Sequence, residues 1–236
     1  MMSTVEINHL KKKFGRKKIF DDFNLALEKG SVTGLFGPNG SGKTTLLKIL
    51  AGLIVAYKGE VYIQGEKPGA VTKSFVSYLP DSNYLQNQHQ IKNTLNLFER
   101  FYDDFNREKA YSLLKEMGLD EKMKIAALSK GMQEKLHLAL CLSRQAKLYL
   151  IDEPLAGVDP VAREQIIKAV IGNMEAESTM LITTHLISDM ETIFDRILFL
   201  RDGKIILDED SENLRFQRGA SIDEIYRMEF GGVDDE

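Results

Sequence analysis

The sequence of 236 residues has little cysteine, no net positive charge and no long apolar run. Its single cysteine, Cys141, has no partner for an intrachain disulfide, and its place in the run LHLALCL predicts a buried residue of a reduced, cytosolic protein. The net charge of −4 gives no bulk attraction to nucleic acid, so no nucleic-acid partner is expected. No apolar run approaches the ~18 residues of a membrane span and no signal peptide opens the chain, so a role at a membrane would require spans from another chain.

The chain also lacks repeats, low-complexity tracts and Pro/Gly-rich linkers. We therefore expect one domain over residues 1–236, and a hydrophobic fraction of 43% is enough for one core with an inserted lobe. Two basic clusters, Lys11–Lys13 and Arg16–Lys18, are interpreted as the solvated rim of a hairpin. A role of these clusters near nucleotide phosphates or lipid headgroups is the alternative.

The hydrophobic period changes twice along the chain. Short strand-like segments come first, including TVEINHL, IFDDFNLALEKG, VTGLFG, GEVYIQG and SFVSYLP. The period is helical from Ile91 to about Arg144, and strand signals return as LYLID and TMLITTH around a helix that begins at Pro160. A hairpin with Asp202-Gly203 at its turn precedes a tail at about 211–236 that contains a short amphipathic helix. The pattern predicts an α/β sheet core with an N-terminal antiparallel β region and a helical lobe inserted at about 83–145.

A glycine-rich stretch between a strand and a helix carries the clearest chemical signal. Residues 37–44 match the pattern G-x-x-x-x-G-K-[ST], in which backbone N–H groups and a helix N-terminus converge on phosphate oxygens. Lys43 would reach the terminal phosphates and Thr44 would offer its hydroxyl to Mg²⁺. An ordinary glycine-rich turn is the alternative. The expected nucleotide-binding residues of this P-loop are Gly37, Pro38, Asn39, Gly40, Ser41, Gly42, Lys43, Thr44 and Thr45.

The segment LYLIDEP is expected to deliver the acidic groups. An apolar strand brings Asp152 to its carboxyl end, where α/β sheets place their ligands. Asp152 would hold Mg²⁺ directly or through water, and Glu153 would act as the general base on the attacking water. A strand that simply ends in acids is the alternative for this segment taken alone.

The stretch LSKGMQEKL, residues 128–136, narrows the class, because here the chain resembles the ATPase subunits of ABC transporters, whose signature reads LSGGQ. The resemblance covers most of the chain. Phe14 lies where that family has an aromatic residue against adenine, and the loop AGVD, residues 156–159, matches its subunit-crossing loop. His185, after the strand TMLITT, matches the switch histidine and is assigned with Glu153 to catalysis; a buried structural role is the alternative.

The resemblance implies how the signature works. Ser129 can cap a helix whose bare first turn is an anion site, and this site would bind the γ-phosphate of ATP held by a second ATPase subunit. Two ATPs would be sandwiched head to tail in a homodimer or heterodimer that powers a separate transmembrane permease subunit at the inner face of the cell membrane. The residues assigned to the second subunit's nucleotide are Ser129, Lys130, Gly131, Met132, Gln133 and Asp159.

Three positions depart from the family pattern. Lys130 replaces the first signature glycine, Met132 replaces the glutamine, and Asp81 in SYLPD stands where the family usually has glutamine. Asp81 can still bind Mg²⁺ or its water, and we expect it at the metal. SYLPD together with LSKGMQ looks most like the ATPases of bacterial drug and peptide exporters. The rival functions are an ABC-type ATPase that meets no membrane and a regulator that senses ATP without hydrolysing it.

The predicted lobe contains three phenylalanines near one another in the sequence. Phe98, Phe101 and Phe105 follow a helical spacing and are expected to form the core of the lobe. An alternative is that part of this face, with Tyr84, Leu85 and Tyr102, forms a groove for a helix of the membrane subunit. The three other histidines, His9, His89 and His137, are interpreted as structural.

Overall fold

The computed structural model describes residues 3–85, 88–173 and 177–231. In these ranges the chain forms two sheets with helices on their faces. The strands are β1 (Ser3–Phe14), β2 (Lys17–Glu28), β3 (Val32–Phe36), β4 (Lys58–Ile63), β5 (Val76–Leu79), β6 (Leu148–Asp152), β7 (Thr179–Thr183), β8 (Arg196–Arg201) and β9 (Lys204–Asp210). The helices are α1 (Lys43–Leu50), α2 (Ile91–Phe101), α3 (Arg107–Glu116), α4 (Lys130–Leu142), α5 (Pro160–Gly172), α6 (Ile187–Met190), α7 (Ser211–Arg218) and α8 (Ile222–Phe230). The predicted fold class is confirmed.

The smaller sheet is antiparallel, with its strands in the order β2-β1-β4. Gly15, with φ of 55°, allows the tight turn between β1 and β2, because a left-handed backbone carries no steric cost for glycine. Val5, Ile7 and Leu10 are buried in one core cluster with residues of α1. The lysines at the tip of this hairpin face solvent, except Lys12, which is buried. The predicted hairpin rim is therefore confirmed for the exposed members of the two basic clusters.

The larger sheet has the strand order β5-β6-β7-β3-β8-β9. Its first five strands are mutually parallel, and β9 pairs antiparallel with β8 across the predicted Asp202-Gly203 turn. Every residue of β3, β6 and β7 is buried, because helices and the smaller sheet cover both faces. The carboxyl ends of these three strands meet at one edge, where open α/β sheets place their ligands.

Three helices, α2, α3 and α4, follow β5 and precede β6. Their apolar faces continue the larger of the two core clusters, with Leu95, Leu113 and Leu140 fully or almost fully buried. The predicted core residue Cys141 is buried as well. Burial raises the pKa of its thiol to about 11, because the thiolate form is disfavoured away from water.

The expectation for the three phenylalanines was wrong for Phe101, whose side chain is 69% exposed. Phe98 and Phe105 are half-buried against the core, with ring centroids 5.7 Å apart. Phe101 is the last residue of α2 and its ring is left uncovered there, and Tyr102 after it has an extended backbone, with φ of −125° and ψ of 108°. The helical spacing therefore stops before Phe105, which reaches Phe98 through the turn rather than along a helix.

Arg144 joins the helices to the edge of the larger sheet. Its guanidinium donates to both carboxylate oxygens of Asp104 at 2.9 Å and to the carbonyl oxygens of Val76 at 2.7 Å and Lys73 at 2.9 Å. The ring of Tyr102 lies 4.0 Å from the guanidinium carbon, centroid to atom. Because Arg144 is only 3% exposed, loss of either partner would leave a buried charge unpaired.

The last two helices pack on the larger sheet. Ile222, Ile225 and Phe230 of α8 are buried, and the rings of Tyr226 and Phe230 each lie 5.6 Å from the ring of Phe199. The predicted amphipathic tail helix is thus confirmed and contacts the core. The helix α7 had no sequence prediction, and the end of the tail at 232–236 lies outside the described residues. The helix predicted from Pro160 ends at Gly172, and residues 174–176 also lie outside them.

Candidate active site

The glycine-rich loop joins the end of β3 to the start of α1. Gly42 precedes the helix with φ of 115°, and Gly40 has φ of 80°, conformations that favour glycine. A side chain at Gly37 would come within 2.1 Å of the carbonyl oxygen of Leu200, so this position also needs glycine. The sequence therefore folds into a bare loop whose N–H groups open the first turn of α1, as phosphate binding requires.

Lys43 lies inside this loop. Its ammonium group donates to the carbonyl oxygen of Gly37 at 2.5 Å and to that of Pro38 at 3.2 Å. Burial lowers the pKa of Lys43, while the negative charges of Glu153 and Asp152 act in the opposite direction. A half-buried ammonium group held only by carbonyl oxygens is well placed to exchange them for phosphate oxygens.

Asp152 ends β6 and is 1% exposed. The hydroxyl of Thr183 donates to its Oδ1 at 2.6 Å, and the nearby hydroxyl of Thr44 acts with it to lower the pKa of the carboxyl. Its second oxygen, Oδ2, has no hydrogen-bond partner among the described residues. Burial raises the pKa of this carboxyl, and the charges of Asp81 and Glu153 raise it further. Asp152 is therefore a buried carboxylate with one free oxygen at the edge of the sheet.

Glu153 and His185 form a pair beside Asp152. Oε2 of Glu153 lies 2.7 Å from Nδ1 of His185 and also accepts from the backbone N–H of His185 at 3.1 Å. Glu153 has a left-handed backbone with φ of 53°, which is uncommon for a residue with a side chain and is frequent at functional sites. The histidine side chain is 63% exposed and the glutamate side chain 20% exposed. The two predicted catalytic residues are thus brought together, with the carboxylate oriented by the imidazole.

Asp81 follows β5, the strand next to β6, and its side chain is exposed. Its negative charge raises the pKa of Asp152 and adds to the effect of burial on the pKa of Tyr78. Asp81 therefore acts electrostatically on Asp152, from the opposite side of β6 from Thr183 on β7.

The signature stretch lies at the start of α4. The hydroxyl of Ser129 accepts from the backbone N–H of Met132 at 3.3 Å, which is the predicted N-cap. A side chain on Gly131 would lie 3.4 Å from the carboxylate of Asp159, which caps α5 through the N–H of Ala162. The ammonium group of Lys130 packs against Gly157. Two capped helix ends are therefore adjacent, and in the described ranges no hydrogen bond or ion pair connects either of them to the glycine-rich loop.

Phe14 is the last residue of β1 and is 49% exposed. The ammonium group of Lys12 lies 4.4 Å from the centroid of its ring and donates to the carbonyl oxygen of Ala56 at 2.7 Å. Farther along the same hairpin, Phe20 packs against Gly42 of the glycine-rich loop. The hairpin therefore connects an exposed aromatic ring to the phosphate loop, as stacking of adenine on Phe14 requires.

Two polar residues of this region were not predicted. Thr183 fixes Asp152, and its only sequence signal is its position in TMLITTH, directly before Thr184 and His185. Asn83 contacts Gln133 and His137 of α4, a contact for which the sequence gives no signal because the partners are about fifty residues away.

A parallel sheet with a glycine-rich phosphate loop, a buried aspartate two strands away and a glutamate–histidine pair beside it defines a P-loop nucleotide hydrolase. Residues 20–156 match the sequence profile of the ABC transporter family. The chain belongs to the ABC transporter family, of which it is an ATP-binding subunit with ATPase activity.

Two relatives and one solved structure show how far the similarity extends. The lantibiotic transport ATP-binding protein SrtF of Streptococcus pyogenes is 32% identical over 224 residues, which cover 89% of this chain and 93% of the relative. The tungstate uptake system ATP-binding protein TupC of Peptoclostridium acidaminophilum is 30% identical over 206 residues, covering 85% of this chain and 96% of the relative. A structure described as the ATP-binding subunit of an ABC transporter superposes with a TM-score of 0.85 at 25% identity, over 95% of this chain and 98% of that one.

ATP-binding subunits of this family dimerise and work with transmembrane components. In the described part of the chain no helix is long and apolar enough to cross a membrane.

Proposed function

We propose that the chain closes head to tail with a second ATPase subunit around two Mg-ATP molecules and thereby powers an exporter. One observation carries the proposal. Lys43, Asp152 and the pair of Glu153 with His185 gather at one edge of the sheet, whereas no hydrogen bond or ion pair among the described residues connects the helix end capped by Ser129 to the glycine-rich loop. A second subunit would supply the missing helix end.

Magnesium fits this edge. Mg²⁺ prefers oxygen ligands and commonly uses one or two carboxylates together with substrate phosphates. The free Oδ2 of Asp152 and the hydroxyl of Thr44 supply such oxygens, and the charge of Asp81 adds to the negative potential. No group of three or more His, Cys, Asp or Glu side chains suited to a metal occurs in the described ranges, which agrees with a metal held in large part by ATP. When bound, the metal would neutralise charge that develops on the phosphates.

The chain's own residues divide the work of hydrolysis. Lys43 binds the terminal phosphates of ATP and stabilises their charge, and the glycine-rich loop donates backbone N–H groups to them. Glu153 takes a proton from the attacking water, and His185 holds the carboxylate in place at 2.7 Å. Phe14 stacks on the adenine.

The signature residues act on the nucleotide of the second subunit. The open helix end at Ser129 and Gly131 binds its γ-phosphate, and Lys130 and Met132 extend the same surface. Asp159 lies beside Gly131 and forms part of the contact between subunits. Gln133, one position later than in the usual signature, belongs to the same predicted surface.

A groove beside β5 is proposed as the docking site for a helix of a separate transmembrane permease subunit. It has a volume of about 360 Å³ and is lined by Lys48, Tyr84, Phe98, Tyr102 and Arg144, among others. Tyr84 and Tyr102 thus line the groove, whereas Leu85 packs on the core. Aromatic rings around a concave surface suit an amphipathic helix.

We assign residues 1–236 to one ATPase domain with a helical lobe at about 83–145, associated peripherally with the inner face of the cell membrane through the permease. Export is favoured by the resemblance of SYLPD with LSKGMQ to the ATPases of bacterial drug and peptide exporters. The relative from a tungstate uptake system represents the competing direction of transport, which is import.

The test has two parts. Glu153→Gln, which keeps ATP binding but blocks proton removal, is expected to shift from monomer to dimer with ATP and not with ADP, as measured by size-exclusion chromatography with light scattering. The wild-type chain is then tested for co-purification with membrane proteins encoded in neighbouring reading frames, and ATP-driven substrate movement is followed in inverted vesicles that contain the retained protein. Accumulation inside these vesicles supports export. A chain that neither dimerises with ATP nor retains the membrane protein would contradict the proposal.

A further inference from the structure

A polar contact connects the segment after β5 to the helix that carries the signature. The side-chain amide of Asn83 donates to Oε1 of Gln133 at 2.9 Å. Its oxygen lies 3.2 Å from Nε2 of His137 and also accepts the backbone N–H of Leu85 at 2.9 Å. Asn83 therefore uses both ends of its side chain, and two of its three partners are on α4.

Gln133 is also used at both ends. Its oxygen accepts from Asn83, and its amide nitrogen donates to the carbonyl oxygen of Leu128 at 3.2 Å. Leu128 directly precedes Ser129, the residue that caps α4. Gln133 is thus hydrogen-bonded within its own chain, although the sequence predicts that it faces the nucleotide of another subunit.

On α4, the contact of Asn83 involves a buried histidine. His137 is 1% exposed, and its ring stacks on that of Tyr84 with centroids 4.8 Å apart and planes inclined by 17°. Asn83 is flanked on its other side by Asp81, two residues earlier, whose charge acts on the buried Asp152. Asn83 therefore connects the first turns of α4 to the segment that also carries Asp81.

We propose that Asn83 and Gln133 form a latch that holds the signature end of α4 in register with the segment at Asp81. This inference rests on the proposed function, because the register matters only if that helix end meets ATP of a second subunit. Asn83 and Gln133 are positioning residues in this arrangement. Through Gln133 the latch fixes the position of Leu128, directly before the capping Ser129, and thereby orients the helix end for closure.

Hydrogen exchange tests the latch in the isolated chain without nucleotide. Asn83→Ala and Gln133→Met each remove the connecting hydrogen bond, and Gln133→Met nearly preserves the side-chain volume. Each is expected to speed exchange of the amides at 129–133 about two- to tenfold, the range of one net hydrogen bond. The double variant should exchange no faster than the faster single variant, because the same contact is lost. Asn96→Ala, at an exposed asparagine of α2, is the matched control and should leave exchange at 129–133 unchanged.

The consequence for closure is measured in the Glu153→Gln background. The ATP concentration that gives half-maximal dimer should rise about two- to tenfold with Asn83→Ala and by the same factor with Gln133→Met, while ADP affinity stays unchanged. A purely structural role would lower the melting temperature without changing the ATP requirement.

The possible results distinguish the latch from a direct nucleotide contact of Gln133 and from a failure of the proposed sandwich. Unchanged exchange at 129–133 in both variants would overturn the latch. An ATP requirement raised by Gln133→Met but not by Asn83→Ala would instead assign Gln133 to direct nucleotide contact and also overturn it. If Glu153→Gln with Asn83 intact fails to dimerise, the proposed sandwich is contradicted, and the exchange measurement still decides whether the latch exists.

Discussion

The edge of the larger sheet and the signature end of α4 differ in what their polar groups contact. At the sheet edge, Oδ2 of Asp152 is unpaired in the described structure and Lys43 is held only by loop carbonyls. At the signature end, Ser129 caps its own helix and Gln133 is hydrogen-bonded at both ends. The sheet edge therefore has a polar atom without a partner in the described structure. The polar groups of the signature end are paired within the chain, and its helix end is exposed. The difference supports the proposal that the site is divided between subunits, with chemistry on the sheet and the closing contact on the helical lobe.

The largest effect is expected at the sheet edge. Glu153→Gln should slow ATP hydrolysis by ~10²–10⁴, because the amide cannot accept a proton from the attacking water. Affinity for Mg-ATP should be nearly unchanged, since Lys43 and Asp152 are intact. The measurement is phosphate release under saturating ATP, with Glu60→Gln on the exposed face of β4 as the control. Hydrolysis close to the wild-type rate in the Glu153 variant would remove this residue from catalysis.

The second effect concerns the attachment of the helices rather than the chemistry. Arg144→Met should lower the free energy of unfolding by about 3–5 kcal/mol, because Asp104 would be left without its charged partner. Arg107→Met is the matched control, since the pair of Arg107 with Glu99 is more exposed and worth at most about 1 kcal/mol. Urea denaturation of both variants provides the comparison. Equal losses would show that Arg144 is not the main connection between the helices and the sheet.

A third change weakens nucleotide binding. Lys43→Ala should reduce ATP affinity roughly ten- to a hundredfold, as expected for loss of a charge-assisted phosphate bond. Titration calorimetry on the Glu153→Gln background avoids turnover during the measurement. Lys48→Ala, in the same helix but lining the groove instead of the loop, should bind ATP normally. Unchanged affinity in the Lys43 variant would contradict the phosphate-loop assignment.

The smallest effect is a pH dependence that originates in the helices. The folded pKa of Cys141, about 11, lies above its ordinary value of 9.0, so its contribution to stability is complete below pH 9 and is lost as the pH rises toward 11. The wild-type protein should therefore lose stability relative to Cys141→Ala over this window by up to about 1.4 kcal/mol per pH unit. Urea denaturation between pH 8 and pH 10.5 measures the difference. A pH-independent difference between the two proteins would show that the thiol is not held in its neutral form.

The sheet edge was the more predictable of the two regions. The phosphate loop, Asp152 and Glu153 are contiguous motifs, and an apolar strand followed by acids specifies both position and direction, because parallel strands end at one edge. Thr183 could only be suspected from its neighbours in the chain. The resemblance to a family placed His185, and the structure then brought it to Glu153.

The helices of the lobe could be predicted from the sequence, but the contacts of their side chains could not. The expectation for Phe101 failed because helical spacing does not show whether another element covers the last turn of α2, and Phe101 is left exposed there. The contact of Asn83 with Gln133 depends on two positions fifty residues apart, which local periodicity does not report. α7 went unpredicted because only two of its eight residues, Leu214 and Phe216, are apolar, which is too few to show a helical pattern.

The central claim is that the sheet edge of one subunit is completed by the signature end of another, and mixing two inactive variants tests it most directly. Lys43→Ala damages only the phosphate loop, and Ser129→Arg fills only the helix end. In a mixed head-to-tail pair, the intact loop of the Ser129 variant faces the intact helix end of the Lys43 variant. We predict that each variant alone is nearly inactive and that the mixture regains ATP hydrolysis, measured as phosphate release at equal total protein. A mixture no more active than the two separate variants, under conditions where the wild-type chain hydrolyses ATP, would contradict the divided site.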